Sequence, residues 1–252
     1  MIPDHVRAEM KKAEFTRRDD GIWIVGTDPF ATAGTVGREA NTIDYTLPKE
    51  TIRFHEKELL SLALDLPTSN MFFLDQEHGD EVVEAAEPNS ETDYVFATAD
   101  ALITCRERLC LVVRTADCVP VIITDASARC AAAVHSGWKS TEKMISVKAA
   151  RMLRDRCGAS YGNMKVYILP AVSLDSYKVG DDFEQKFPGA TERKEDGLHA
   201  DLPKAIIQSL IAEGISPENI AETRLCTVKE NGLFFSHRKG DRGRNLNFVV
   251  MR

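Results

Sequence analysis

Three short segments carry side chains able to do chemistry: Asp75-Gln76-Glu77-His78-Gly79, Thr115-Ala116-Asp117-Cys118-Val119-Pro120 and Val134-His135-Ser136-Gly137-Trp138. Each sets a histidine or a cysteine at the end of a predicted strand, where a rigid scaffold can present groups to solvent-accessible space. Two imidazoles and one thiolate suit zinc, which takes nitrogen and sulfur ligands and, when held by three protein groups, keeps a fourth position for water or substrate. His78, Cys118 and His135 are therefore candidate ligands of a catalytic rather than a structural metal. Their separations of 40 and 17 residues match no local zinc pattern, so the fold must bring them together. Taken singly, a cysteine beside an apolar run also reads as a small core residue, and a lone histidine as a hydrogen-bonded structural one. A second group is basic: Arg238, Lys239, Arg242 and Arg244 against Asp241 leave a local charge of +3 in an acidic chain. That suits an oxyanion, with Gly240 and Gly243 letting backbone amides come close, although a solvated basic turn would have the same composition.

The elements that must position these groups are legible in outline. Gly21 to Val25 reads as a first strand, and Thr27 to Asn41, with its glycines and few large apolar residues, as a loop. Ile52, His55, Leu59, Leu62 and Ala63 recur at helical spacing within Thr51 to Leu64. Strands are expected at Met71–Leu74, Glu81–Glu84, Ala101–Thr104, Leu109–Thr115, Val119–Thr124 and Ala131–His135. Leu111-Val112-Val113 and Val121-Ile122-Ile123 are continuous apolar runs, which predicts burial on both faces. A helix is expected from Thr141 to about Arg156, a strand at Lys165–Leu169, and a second helix at Leu202–Ile211 after the charged stretch Glu184–Asp196. Thr223–Leu225, Leu233–Phe235 and Leu246–Met251 read as closing strands, with a turn at Glu230-Asn231-Gly232. Strands grouped in the middle and at the end, with few interleaved helices, predict an α+β fold.

Composition narrows the function. The 252 residues show no linker or repeat, so a single domain spanning 1–252 is expected. A net charge of −7 argues against general affinity for nucleic acid or an anionic membrane surface. No apolar run approaches the roughly 20 residues of a membrane span. The start Met1-Ile2-Pro3-Asp4-His5-Val6-Arg7 lacks the pattern of an export signal, so a cytoplasmic setting with reduced cysteines is expected.

Taken in order, Gln76-Glu77-His78-Gly79, Thr115 to Val121, Ala133 to Trp138, Cys226-Thr227 with Phe235-Ser236-His237-Arg238, and Gly243-Arg244 resemble the laccase-domain family. It is also called the multicopper polyphenol oxidoreductase-like or purine nucleoside phosphorylase family. The similarity takes in Ala99-Asp100-Ala101 and Ala200-Asp201-Leu202 and runs from about residue 20 to the C-terminus. It implies packed mixed β-sheets with helices outside, and a zinc held by His78, Cys118 and His135. The activity implied is purine nucleoside phosphorylase, with adenosine deaminase activity also attributed to members and some described as copper-dependent phenol oxidases. Copper is the less favoured metal, since a laccase needs many more histidines for its trinuclear cluster, and the chain has six with no His-x-His pair.

The partners implied are a purine nucleoside and phosphate. Arg238, Arg242 and Arg244 would hold the phosphate, Trp138 could stack on the base or pack in the core, and Asp117 or Asp100 would orient a ligand histidine. The chain also departs from the family: Glu77 stands where a valine is usual, and Ser136, Lys139 and Ser140 replace residues of a His-Ala-Gly-Trp-Arg-Gly run. His55-Glu56 stands in place of an Asn-Arg pair. The metal tripod is intact while the substrate side is altered. Two other readings stay open at this level: a metal-independent cysteine hydrolase in which His135 activates Cys118, and a non-catalytic module that binds metal or nucleoside.

Overall fold

The computed structural model describes residues 7, 10–26, 29–90 and 95–252; the start Met1 to Val6 lies outside them. Its strands are β1 (Phe15–Arg17), β2 (Ile22–Val25), β3 (Ala31–Val36), β4 (Met71–Asp75), β5 (Val82–Glu84), β6 (Ala97–Thr98), β7 (Ala101–Thr104), β8 (Cys110–Thr115), β9 (Val119–Asp125), β10 (Cys130–Ser136), β11 (Lys165–Ile168), β12 (Lys178–Val179), β13 (Thr191–Lys194), β14 (Gly197–Ala200), β15 (Ile220–Glu222) and β16 (Asn245–Met251). The helices are α1 (Lys49–Leu64), α2 (Trp138–Glu142), α3 (Ile145–Cys157), α4 (Phe183–Lys186) and α5 (Leu202–Glu213). One sheet runs β1-β2-β3-β16-β8-β4-β6, a second runs β15-β11-β9-β10-β7-β5, and a small third one runs β12-β14-β13. Both large sheets are mixed: β8 pairs antiparallel with β16 and parallel with β4, while β7 pairs antiparallel with β10 and parallel with β5.

The apolar runs explain the layering. Leu111 and Val113 of β8 join Ile122 of β9 and Ala131 and Ala133 of β10 in a core between the two sheets. Val112 points the other way, onto Leu60 of α1 with Phe73 and Phe248. Val121 and Ile123 face away from the first sheet, onto Ala150 and Leu153 of α3 and Ile206 and Leu210 of α5. Side chains alternate across a strand, so a segment buried on both faces by apolar neighbours is apolar at consecutive positions, as Leu111–Val113 and Val121–Ile123 are. The layers are therefore helix, sheet, sheet, helices, with helices on the outside as expected. Among the described residues no helix is long and apolar enough to cross a membrane.

Several local expectations are corrected. The stretch read as a loop contains β3, paired with β2 and β16. Its small residues reflect crowding rather than a turn: a Cβ on Gly34 would sit 2.1 Å from the Trp23 carbonyl oxygen. The helix expected from Thr141 is two, because Met144 adopts a left-handed conformation with φ of 63° between α2 and α3. In α1 the period is right and the face is rotated, since Leu62 is 84% exposed while Glu56, Lys57 and Leu60 are buried. Glu56 is paired with Arg114, and Lys57 Nζ donates to the Ser90 carbonyl, which is what permits polar groups on the inner face. Thr223–Leu225 follows β15 instead of forming a strand, and Leu233–Phe235 is irregular. The Asn245 side chain takes the place of a strand partner there, accepting from Phe235 N and donating to Phe235 O, each at 2.9 Å. The charged stretch from Glu184 carries most of α4 and all of β13.

Candidate metal centre and its cavity

The three sequence segments meet at one end of the paired sheets. His78 lies three residues beyond β4, Cys118 in the β8–β9 turn, and His135 near the end of β10. Their ligand atoms lie within 4.8 Å of one another, the sole such group of three found among the described residues. Cys118 Sγ is 3.7 Å from His78 Nε2, and the imidazole rings of His78 and His135 meet edge to face with centroids 4.8 Å apart. Bonds of about 2.3 Å to sulfur and 2.0 Å to nitrogen place tetrahedral ligand atoms about 3.5 Å apart, so shifts of about 1 Å or less would close the group on one ion.

One carboxylate builds most of this geometry. Asp100, buried between β6 and β7, accepts His135 Nδ1 at 2.7 Å and the His78 amide at 3.0 Å on Oδ1. Its Oδ2 accepts the amides of Glu77 at 3.2 Å and Gly79 at 2.6 Å. His78 needs that support, because its φ of 59° is a left-handed conformation that costs a residue with a Cβ. With Nδ1 held by Asp100, the His135 ring keeps Nε2 for Cys118 and for a metal. Gly137 completes the cradle: a Cβ there would lie 2.7 Å from His78 Cδ2 and 3.1 Å from Cys118 Sγ.

The electrostatics favour a thiolate. Burial raises the Cys118 thiol, but the facing His135 charge and hydrogen bonds from His135 and His78 outweigh it and bring the group down to about 6. Burial lowers His135, and the Cys118 and Asp100 charges with their hydrogen bonds outweigh it, holding the imidazole up at about 9. Asp100 is destabilised as an anion by burial, yet His135 and the loop amides hold it below the usual carboxylate range.

The tripod opens into a cavity of about 520 Å³ whose wall also includes Lys49, Arg53, Arg114, His237, Arg242 and Arg244. Of the residues expected to bind phosphate, Arg242 and Arg244 are in this wall. Arg238 is not among the lining residues; its guanidinium donates to the Lys178 carbonyl and lies 4.7 Å from the centre of the Tyr177 ring. Trp138 is also absent from the lining, packed 5.3 Å from the Phe183 ring with Lys186 Nζ over its face at 4.5 Å. Asp117 does not orient a ligand histidine: its carboxylate accepts Thr227 Oγ1 at 2.6 Å and the Arg238 amide at 2.8 Å, tying the Cys118 turn to the C-terminal basic segment. Asp100 has the orienting place. Lys49, Arg53 and Arg114 were missed because they lie on α1 and β8, far in sequence from the basic cluster. The one local signal was Lys49, Ile52, Arg53 and Glu56 sharing a helix face.

These features define an α+β protein with a candidate metal tripod at a strand-end cavity. The family described as multi-copper polyphenol oxidoreductase laccase matches residues 49–252, and the chain belongs to it. It is 34% identical over 197 residues to a purine nucleoside phosphorylase of Mycobacterium tuberculosis (strain ATCC 25618 / H37Rv), covering 76% of each chain. It is 29% identical to an adenosine deaminase, RL5, of an unknown prokaryotic organism, covering 92% of this chain and 94% of that one. The crystal structure of the Bacillus licheniformis hypothetical protein YfiH superimposes with a TM-score of 0.85 at 25% identity, over 94% of this chain and 99% of that one.

Proposed function

We propose that residues 1–252 form one domain acting as a zinc-dependent enzyme of purine nucleosides, with phosphorolysis as the principal reaction and adenosine deamination as the secondary one. The observation that carries this reading is that the His78–Cys118–His135 group and a wall of arginines belong to the same cavity. The donor set fits zinc, with two nitrogens, one sulfur and a glycine where a Cβ would intrude. Bound there, zinc would supply a Lewis acid with one open coordination position.

The chain's own residues do the remainder. Asp100 fixes the His135 ring and the turn carrying His78, so the site is organised before substrate arrives. The arginines hold the oxyanion nucleophile beside the nucleoside, replacing a bimolecular encounter by a positioned one. Arg242 and Arg244, from the C-terminal turn, are its outer contacts.

A second reading draws support from the perturbed thiol. Asp100, His135 and Cys118 stand in the order of a carboxylate, imidazole and thiolate relay, which without metal suits a cysteine hydrolase. Cys118→Ala separates the two. Under the metal reading it loses most bound zinc together with nearly all turnover of inosine and adenosine while the fold persists. Loss of turnover with zinc content unchanged would favour the hydrolase, and retention of both would remove Cys118 from the site.

A further inference from the structure

Two arginines of the cavity wall are less exposed than Arg242 of the C-terminal turn. The Arg53 side chain is 11% exposed and that of Arg114 is 14% exposed, whereas Arg242 is an exposed residue. Arg114 is fixed in plane: Nη1 donates to Glu56 Oε2 at 3.3 Å and Nη2 to the Leu74 carbonyl at 2.6 Å. Glu56 is in turn gripped by the Tyr45 hydroxyl, which donates to Oε1 at 2.9 Å. Arg53 gives Nη2 to Asp75 Oδ1 at 2.6 Å, and its Nε is buried with no hydrogen-bond partner.

An unpaired buried Nε is an unmet demand, Nη2 is the one Arg53 nitrogen engaged by Asp75, and guanidinium is the side chain best matched to phosphate geometry, so a small turn of this side chain toward a cavity oxyanion would be favoured. Charge points the same way. Lys49, Arg53, Arg114, Arg242 and Arg244 share the cavity wall with two carboxylates, Asp75 and Glu56, and with Cys118, and Asp75 is already shared between Lys49 and Arg53. Arg244 spends Nη1 on the carbonyls of Arg242 and Gly243, and Arg238 is turned toward Tyr177.

We infer that Arg53 and Arg114 form the principal seat of a phosphate oxyanion in this cavity, presented either by inorganic phosphate or by the phosphate ester of a nucleotide. The inference rests on the nucleoside reading of the site and refines it. The anion is moved from the C-terminal turn, where sequence alone put it, to α1 and β8. Partial withdrawal of both arginines from water strengthens their pull on the anion relative to a solvated turn.

The test is calorimetric titration of the zinc-loaded protein with inorganic phosphate and, separately, with adenosine 5′-monophosphate, at constant ionic strength. Arg53→Gln and Arg114→Gln are expected to weaken phosphate or nucleotide binding at least tenfold, and Arg238→Gln less than twofold, with zinc content unchanged. Arg53→Gln carries the test should loss of the Glu56 partner unfold Arg114→Gln. Tighter binding of inorganic phosphate identifies it as the ligand, and a preference for the nucleotide identifies the ester. Phosphate binding that depends on Arg53 without any release of base supports the anion seat while ending the phosphorolysis reading. Wild-type binding in Arg53→Gln, or no binding of either probe at millimolar concentration to the unmodified protein, overturns the inference.

Discussion

Replacing Asp100 by asparagine isolates the residue on which the tripod depends. Four donors converge on this carboxylate: three consecutive loop amides and His135 Nδ1. An amide has one oxygen, so if it stays on the His78 amide and His135, the new NH₂ group faces the N–H groups of Glu77 and Gly79. Two hydrogen bonds to a charged group are lost, each worth about 1.5–3 kcal/mol. Glu77 and His78 are exposed and Gly79 half-buried, so water can take over part of that role, and the net cost falls at or below the lower end of the sum of the two, about 2–3 kcal/mol. The turn carrying His78 then relaxes from its left-handed conformation, and zinc affinity should fall about 10–100-fold, as when a carboxylate that holds a ligand histidine is lost. Urea unfolding of the metal-free protein measures the first effect as a lower midpoint at unchanged slope. Competition with a chromophoric chelator measures the second. An unchanged midpoint together with zinc affinity within about threefold of the original would refute this account of Asp100, since threefold corresponds to only about 0.7 kcal/mol.

Three further outcomes are expected. Gly137→Ala puts a methyl group 2.7 Å from His78 Cδ2, so it should lower zinc affinity with less effect on the unfolding midpoint than Asp100→Asn; full zinc loading at equal affinity would contradict it. In the metal-free protein, iodoacetamide labelling of Cys118, followed by mass spectrometry, should rise with pH around a midpoint near 6, because a lowered thiol pKa keeps the reactive thiolate present to lower pH. A midpoint near the ordinary value of about 8.5 would show that His135 does not stabilise the thiolate. Zinc affinity should fall with pH from about 9, where a proton must leave His135, and more steeply below about 6, where a second competes for Cys118; a profile no steeper below pH 6 than above it would argue against a thiolate ligand.

What was legible in the sequence follows a physical pattern. The candidate tripod residues could be placed at strand ends, but their grouping was legible only through the family resemblance, because separations of 40 and 17 residues carry no local pattern; the double-sided burial of β8 and β9 followed from the apolar runs Leu111–Val113 and Val121–Ile123. β3 was hidden because close approach to β2 demands Gly34, and glycine also marks turns. The inner face of α1 was misplaced because hydrophobic periodicity assumes that buried means apolar, whereas Glu56 and Lys57 are buried with polar partners supplied by β8 and Ser90. Asp117 and Asp100 were equivalent candidates by type. Only the folded register, which pairs Ala101 with Val134 and brings Asp100 beside His135, separates them. Arg53 and Arg114 are 61 residues apart and gain significance only when α1 packs beside β8.

The most direct measurement is metal analysis of the purified protein by plasma mass spectrometry, coupled to chromatographic assay of inosine and adenosine with and without phosphate. The account predicts about one zinc per chain and release of free base that requires phosphate, with any conversion of adenosine to inosine dependent on the same metal. A protein that carries no zinc, and turns over neither nucleoside after zinc is supplied, would contradict it.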